Sequence, residues 1–95
     1  MGKQPSQAQQ TSLSVNDARP LSELRSKETA IIDSLRGGAG FRRRLAALGF
    51  TPGTRIKMLQ NRGHGPILVT VRDTRIALGR GEAYKIWVRS AQGEQ

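Results

Sequence analysis

Ninety-five residues with 36% apolar and 4% aromatic content allow one small core built from aliphatics and leave no material for a second. The lack of cysteine excludes disulfide staples, thiolate catalysis and thiolate metal sites, and fits a reducing, cytoplasmic address. A net charge of +9 directs the search toward an acidic partner, which nucleic acid, an anionic membrane face or an acidic protein surface would each supply.

Residues 1–20 are rich in Gln, Ser, Asn and Asp, hold Leu13 and Val15 as sizeable apolar groups, and read as a disordered extension. No apolar stretch follows Lys3, so a secretory signal is not expected. A short turn at Leu21-Ser22-Glu23-Leu24 opens a domain placed at residues 21–89, with 90–95 as a flexible tail. The domain holds 14 Lys and Arg against Glu23, Glu28, Asp33, Asp73 and Glu82, and so carries the whole excess of positive charge.

The β-branched run Thr29 to Leu35, bounded by Lys27-Glu28 and Arg36-Gly37-Gly38, predicts the first strand. Gly37, Gly38 and Gly40 then release the chain into a short helix. In that helix Phe41, Leu45 and Leu48 fall at i, i+4 and i+7 on one face, opposite Arg42, Arg43 and Arg44. Gly49 stands where a left-handed residue ends a helix, with Phe50 placed to pack back on Leu45 in a Schellman stop. Thr51-Pro52-Gly53 carries Pro and Gly in the order of a type II turn.

Three more strands are expected at Thr54 to Gln60, Ile67 to Arg72 and Thr74 to Leu78. Aliphatic residues alternate with Arg55 and Lys57 in the first, with Leu68, Thr70 and Arg72 in the second and with Arg75 and Ala77 in the third, so one face is apolar and the other largely basic. A loop, Asn61-Arg62-Gly63-His64-Gly65-Pro66, joins the first pair, and a very short turn near Asp73-Thr74 joins the second. Gly79 to Lys85 reads as one helical turn and Ile86 to Arg89 as a last strand, with Tyr84 and Trp87 expected as core and rim residues. The fold class is therefore mainly β: a small, partly open SH3-like barrel of about five strands, with one short inserted helix and a late helical turn. The longest apolar stretches, such as Ile67-Leu68-Val69, fall far short of the roughly 20 residues of a membrane span.

Enzymatic chemistry has little to stand on. His64 is the single imidazole and has no readable nucleophile or base beside it. The carboxylates are few and scattered among arginines that keep them ionised. The glycine-rich stretches match neither the P-loop nor the dinucleotide-binding pattern, and Gly37-Gly38-Ala39-Gly40 reads as a turn into a helix rather than an anion nest. Neither cofactor nor resident metal is implied, and His64 is only a weak candidate ligand. The Arg42-Arg43-Arg44 run is either a solvated helix face or a docking surface for acidic groups. Too few rings are present for the stacking platforms of nucleic-acid readers, which disfavours that class.

The motif pieces nevertheless form an ordered set: Leu21-Ser22-Glu23-Leu24, Gly40-Phe41-Arg42-Arg43-Arg44-Leu45-Ala46-Ala47-Leu48-Gly49, Thr51-Pro52-Gly53-Thr54, Gly65-Pro66-Ile67 and Arg75-Ile76-Ala77-Leu78-Gly79. Together they resemble the FeoA family over about residues 21–89. The resemblance implies an SH3-like barrel in the cytoplasm acting with FeoB, the membrane ferrous-iron transporter that bears a G-protein domain. A similar barrel also forms the C-terminal module of iron-dependent repressors. Three positions depart from the family pattern: Lys27 stands where Gly is common, Phe50 where a smaller aliphatic is common, and Asp73 where Gly often occupies the tight turn. The expected partner-binding residues are Arg42, Arg43, Arg44, Arg62 and His64, docking onto the cytosolic part of the transporter. Self-association, a peptide groove, a small basic nucleic-acid-binding protein and a weak ferrous-ion carrier using His64 are the other readings.

Overall fold

The computed structural model describes residues 18–91, so the expectations for residues 1–17 and 92–95 lie outside the described part. Six strands form one open antiparallel sheet in the order β1-β6-β2-β3-β4-β5: β1 (Arg19–Pro20), β2 (Thr29–Leu35), β3 (Arg55–Gln60), β4 (Ile67–Val71), β5 (Thr74–Leu78) and β6 (Ile86–Ser90). A 3-10 turn (Leu21–Glu23) follows β1, helix α1 (Ala39–Ala47) lies between β2 and β3, and helix α2 (Arg80–Tyr84) precedes β6.

The alternation of apolar residues settles which face turns inward. Ile56 and Met58 on β3, and Ile67, Val69 and Val71 on β4, are buried between exposed or half-buried neighbours. They share one core with Leu21, Leu24, Ile32, Leu45, Phe50, Ile86 and Val88. The register shifts near Asp33 on β2 and near Leu59 on β3. Such bulges bend strands and increase their twist, which helps a six-stranded sheet wrap a single core.

Helix α1 ends as its sequence predicts. Gly49 takes φ 105, its N–H donates to Ala46 O at 2.9 Å, and Phe50 N–H donates to Leu45 O at 2.9 Å. This is the two-bond Schellman pattern, and Leu45 and Phe50 are both fully buried. Phe50 thus places a large ring wholly inside the core. Gly37 is required by close approach: a Cβ there would lie 2.5 Å from the ring of Phe41.

Four features differ from expectation. Arg19 and Pro20, assigned to the extension, pair with Val88 and Trp87 as an added edge strand, a place where proline's missing N–H is tolerated. Ser90, assigned to the tail, closes β6 opposite Ala30. Leu48, the C-cap of α1, is 45% exposed rather than packed with Phe41 and Leu45. Tyr84, expected in core or rim, is 62% exposed, since Ala83 is the buried residue of the short helix α2.

Candidate interaction surface

Arg42, Arg43 and Arg44 are all exposed on α1, yet they are not equivalent. Arg42 turns back to donate to Gly37 O at 2.7 Å. Arg44 donates to Glu82 Oε2 at 2.6 Å and pairs with it electrostatically. Arg43 makes no hydrogen bond or ion pair among the described residues, so its guanidinium is the one of the three left wholly to solvent or a partner.

Arg62 and His64 sit exposed in the loop between β3 and β4 and line one side of a cleft of about 390 Å³ with Pro66, Leu68 and Ala77. Neither has an intramolecular polar partner among the described residues. No group of three or more His, Cys, Asp or Glu able to hold a metal ion occurs among the described residues, at His64 or elsewhere.

Helix α2 ties these two regions together. Glu82 Oε1 accepts from Gly79 N–H at 3.3 Å, one half of a capping box, while its Oε2 holds Arg44 of α1. From the same helix Arg80 donates to Gly65 O at 2.9 Å and to Asn61 Oδ1. Asn61 is the hub of the loop. Its Nδ2 donates to Ser22 O at 3.0 Å and Leu24 O at 2.7 Å, and its Oδ1 accepts from Gly63 N–H at 3.0 Å. The main chain of Asn61 adds a bond from its N–H to Ser26 Oγ at 2.9 Å. The helix arginines and the Arg62/His64 loop are thereby fixed to one scaffold.

Arg36 and Lys85, which sequence reasoning passed over, are exposed, and of the residues it assigned to core or rim Leu48 and Tyr84 are exposed and Trp87 is half-buried. Lys85 Nζ lies 5.3 Å from the Phe41 ring centroid, and the Arg44 guanidinium lies 5.8 Å from it. Arg36 stacks over Trp87 at 3.8 Å, a close cation-π geometry. Leu48 and Tyr84 are the large hydrophobics most exposed to solvent among the described residues. Leu48 follows Arg44 by four residues, on the same side of α1, and Tyr84 precedes Lys85. Arginine and aromatic side chains are enriched in protein-binding surfaces. None of this was readable before the helices were placed, because Glu82 and Arg80 are ordinary charges in sequence.

Comparison with known proteins is consistent over nearly the whole described domain. A model of the FeoA domain matches residues 19–90. The chain is 33% identical over 73 residues to a Methanocaldococcus jannaschii protein named Fe(2+) transport protein A, covering 77% of this chain and 88% of that one. A crystal structure of an iron uptake regulatory protein, FeoA, superposes with a TM-score of 0.72 at 36% identity, covering 76% of this chain and 96% of the other. FeoA of Stenotrophomonas maltophilia, described as a procaryotic SH3 domain protein complexed with zinc, gives a TM-score of 0.66 at 35% identity over 73% of this chain and 87% of its own. The likeness supports the SH3-like reading of the six-stranded sheet.

Proposed function

Because the chain belongs to the FeoA domain family, we propose that it is a non-enzymatic cytoplasmic accessory protein that modulates FeoB-type ferrous iron transport by docking on a cytosolic part of the transporter. The observation that carries the docking surface is the scaffold made by α2. Glu82 reaches Arg44 on α1 and Arg80 reaches the Asn61 loop, so side-chain contacts from α2 link the helix that carries Arg43 to the loop that carries Arg62 and His64, with Leu48 and Tyr84 exposed at the ends of the two helices.

The cations have separate parts in this reading. Arg43 and Arg62, unpaired within the described chain, meet acidic groups of the partner and steer the encounter. Arg42 and Arg44, held at Gly37 and Glu82, position α1 and add to the local field. Tyr84 and Leu48 supply the apolar contact that charge alone does not. No residue in the surface has the nucleophile-and-base arrangement of a catalyst.

The reading is tested by complementation in cells that lack the chain and depend on FeoB-type uptake. The parent chain restores ferrous iron accumulation, and Arg43→Glu combined with Arg62→Glu reduces it at equal protein level. Full restoration by the double reversal contradicts the surface assignment.

A further inference from the structure

The most strongly charged region outside the helices is the outer face of β3, β4 and β5. Strand register places Thr29, Lys57, Thr70 and Arg75 in one row across four strands, and Arg55 opposite Ile31 in the next. Arg55, Lys57, Arg72 and Arg75 are all exposed, and none makes an ion pair among the described residues. A shallow cleft of about 290 Å³ lies between Arg55, Lys57 and Arg72, with the hydroxyls of Thr29 and Thr70 in its wall and Asp73 as its single carboxylate.

Spacing decides what such a face can hold. Neighbouring strands lie about 4.8 Å apart, so the backbones at Lys57 and Arg75, two strands apart, are separated by roughly 10 Å. Arg55 is two residues from Lys57, about 7 Å along the strand. Four unpaired cations spread over that distance offer more contacts than one small anion can use. They match an extended anionic plane.

Three extended anions qualify: nucleic acid, an anionic bilayer surface and an acidic protein surface, the last already matched to the Arg43/Arg62 surface above. Single-stranded nucleic acid binders add rings for base stacking, and here every ring lies elsewhere. Phe41 belongs to α1 and Phe50 to the buried core, Tyr84 belongs to α2, and Trp87 on β6 is covered by Arg36. We infer that the β3-β4-β5 face is a peripheral docking surface for anionic phospholipid headgroups, holding the domain on the membrane beside its transporter. The choice of lipid rests on the transporter reading above in one respect: that reading puts the domain within reach of a leaflet. The test needs no transporter.

The full chain is sedimented with vesicles of phosphatidylcholine alone and of phosphatidylcholine with 30% phosphatidylglycerol, at low and at physiological salt. Binding is expected only to the anionic vesicles, and weaker at the higher salt. Each Lys or Arg near an anionic surface is worth about fivefold in partitioning, so Lys57→Gln with Arg75→Gln lowers it roughly 25-fold. Both positions are exposed, and an unchanged circular dichroism spectrum confirms that the variant is folded. Arg43→Gln with Arg62→Gln is expected to lower it much less. Three results overturn the inference: no binding to anionic vesicles at low salt, an equal or larger loss from the Arg43/Arg62 pair, or tighter binding to a single-stranded oligonucleotide than to the vesicles. Docking to the transporter's soluble domain, measured without lipid, is decided separately and can succeed where vesicle binding fails.

Discussion

Replacing Asn61 with alanine removes four side-chain hydrogen bonds at once: those donated to Ser22 O and Leu24 O, and those accepted from Gly63 N–H and Arg80. A hydrogen bond in a folded protein is worth about 1 kcal/mol net. The site is only partly buried, and water repairs some of the loss. The expected destabilisation is therefore roughly 2–4 kcal/mol, about 10–25 °C in Tm for a domain of this size. Thermal or urea unfolding of the full chain followed by circular dichroism measures it. Asn61→Asp separates the two halves of the network. The carboxylate keeps the bonds from Gly63 and Arg80 but cannot donate to Ser22 and Leu24, and it sets a charge against their carbonyl oxygens. An intermediate loss of about 1–2 kcal/mol is expected. A loss below about 0.5 kcal/mol for the alanine variant, or an aspartate variant as stable as the parent, refutes the view that Asn61 locks the loop to the 3-10 turn and to α2.

Three further outcomes follow from the same geometry. Lys27 holds φ 78, a conformation that costs a side chain about 1–2 kcal/mol, so Lys27→Gly is expected to raise stability by about 1 kcal/mol while Lys27→Ala does not; chemical denaturation compares them. Glu82→Gln keeps the acceptor for Gly79 but loses the ion pair with Arg44, which is about half exposed, so a loss under about 1 kcal/mol that shrinks with salt is expected. Phe50, with no exposed surface, is expected to cost about 3–5 kcal/mol on replacement by alanine, which unfolds much of the population in a small domain at 37 °C.

Much of the fold was readable because its determinants are local. The strand at Thr29–Leu35 and the one at Thr74–Leu78 have the bounds that pattern and punctuation suggested, and the Gly49-Phe50 stop formed as written. The family departures at Lys27 and Asp73 were also informative: both adopt positive φ, at 78 and 65, where glycine is the easy choice. Arg72, at φ 51, shares the two-residue turn with Asp73, and no local feature of an arginine announces that. What escaped the sequence depends on contacts distant along the chain. Arg19–Pro20 becomes a strand only because β6 lies beside it. Leu48 has the right helical spacing for the core, yet at the C-cap of α1 it is 45% exposed, because no other element covers it. The arginine run looks uniform, and only the positions of Glu82 and Gly37 distinguish Arg43 from its neighbours. Asn61 is a loop asparagine in sequence and a junction in space, because its partners lie up to 39 residues away.

The most direct test of the central claim is a titration of the full chain against the purified cytosolic domain of its FeoB-type transporter, with and without a GTP analogue, at two salt concentrations. Saturable binding that weakens at high salt, and weakens about tenfold or more when Arg43 and Arg62 are both changed to glutamate, is the predicted result. Absence of binding in every condition, or an affinity untouched by the double reversal, contradicts the docking account.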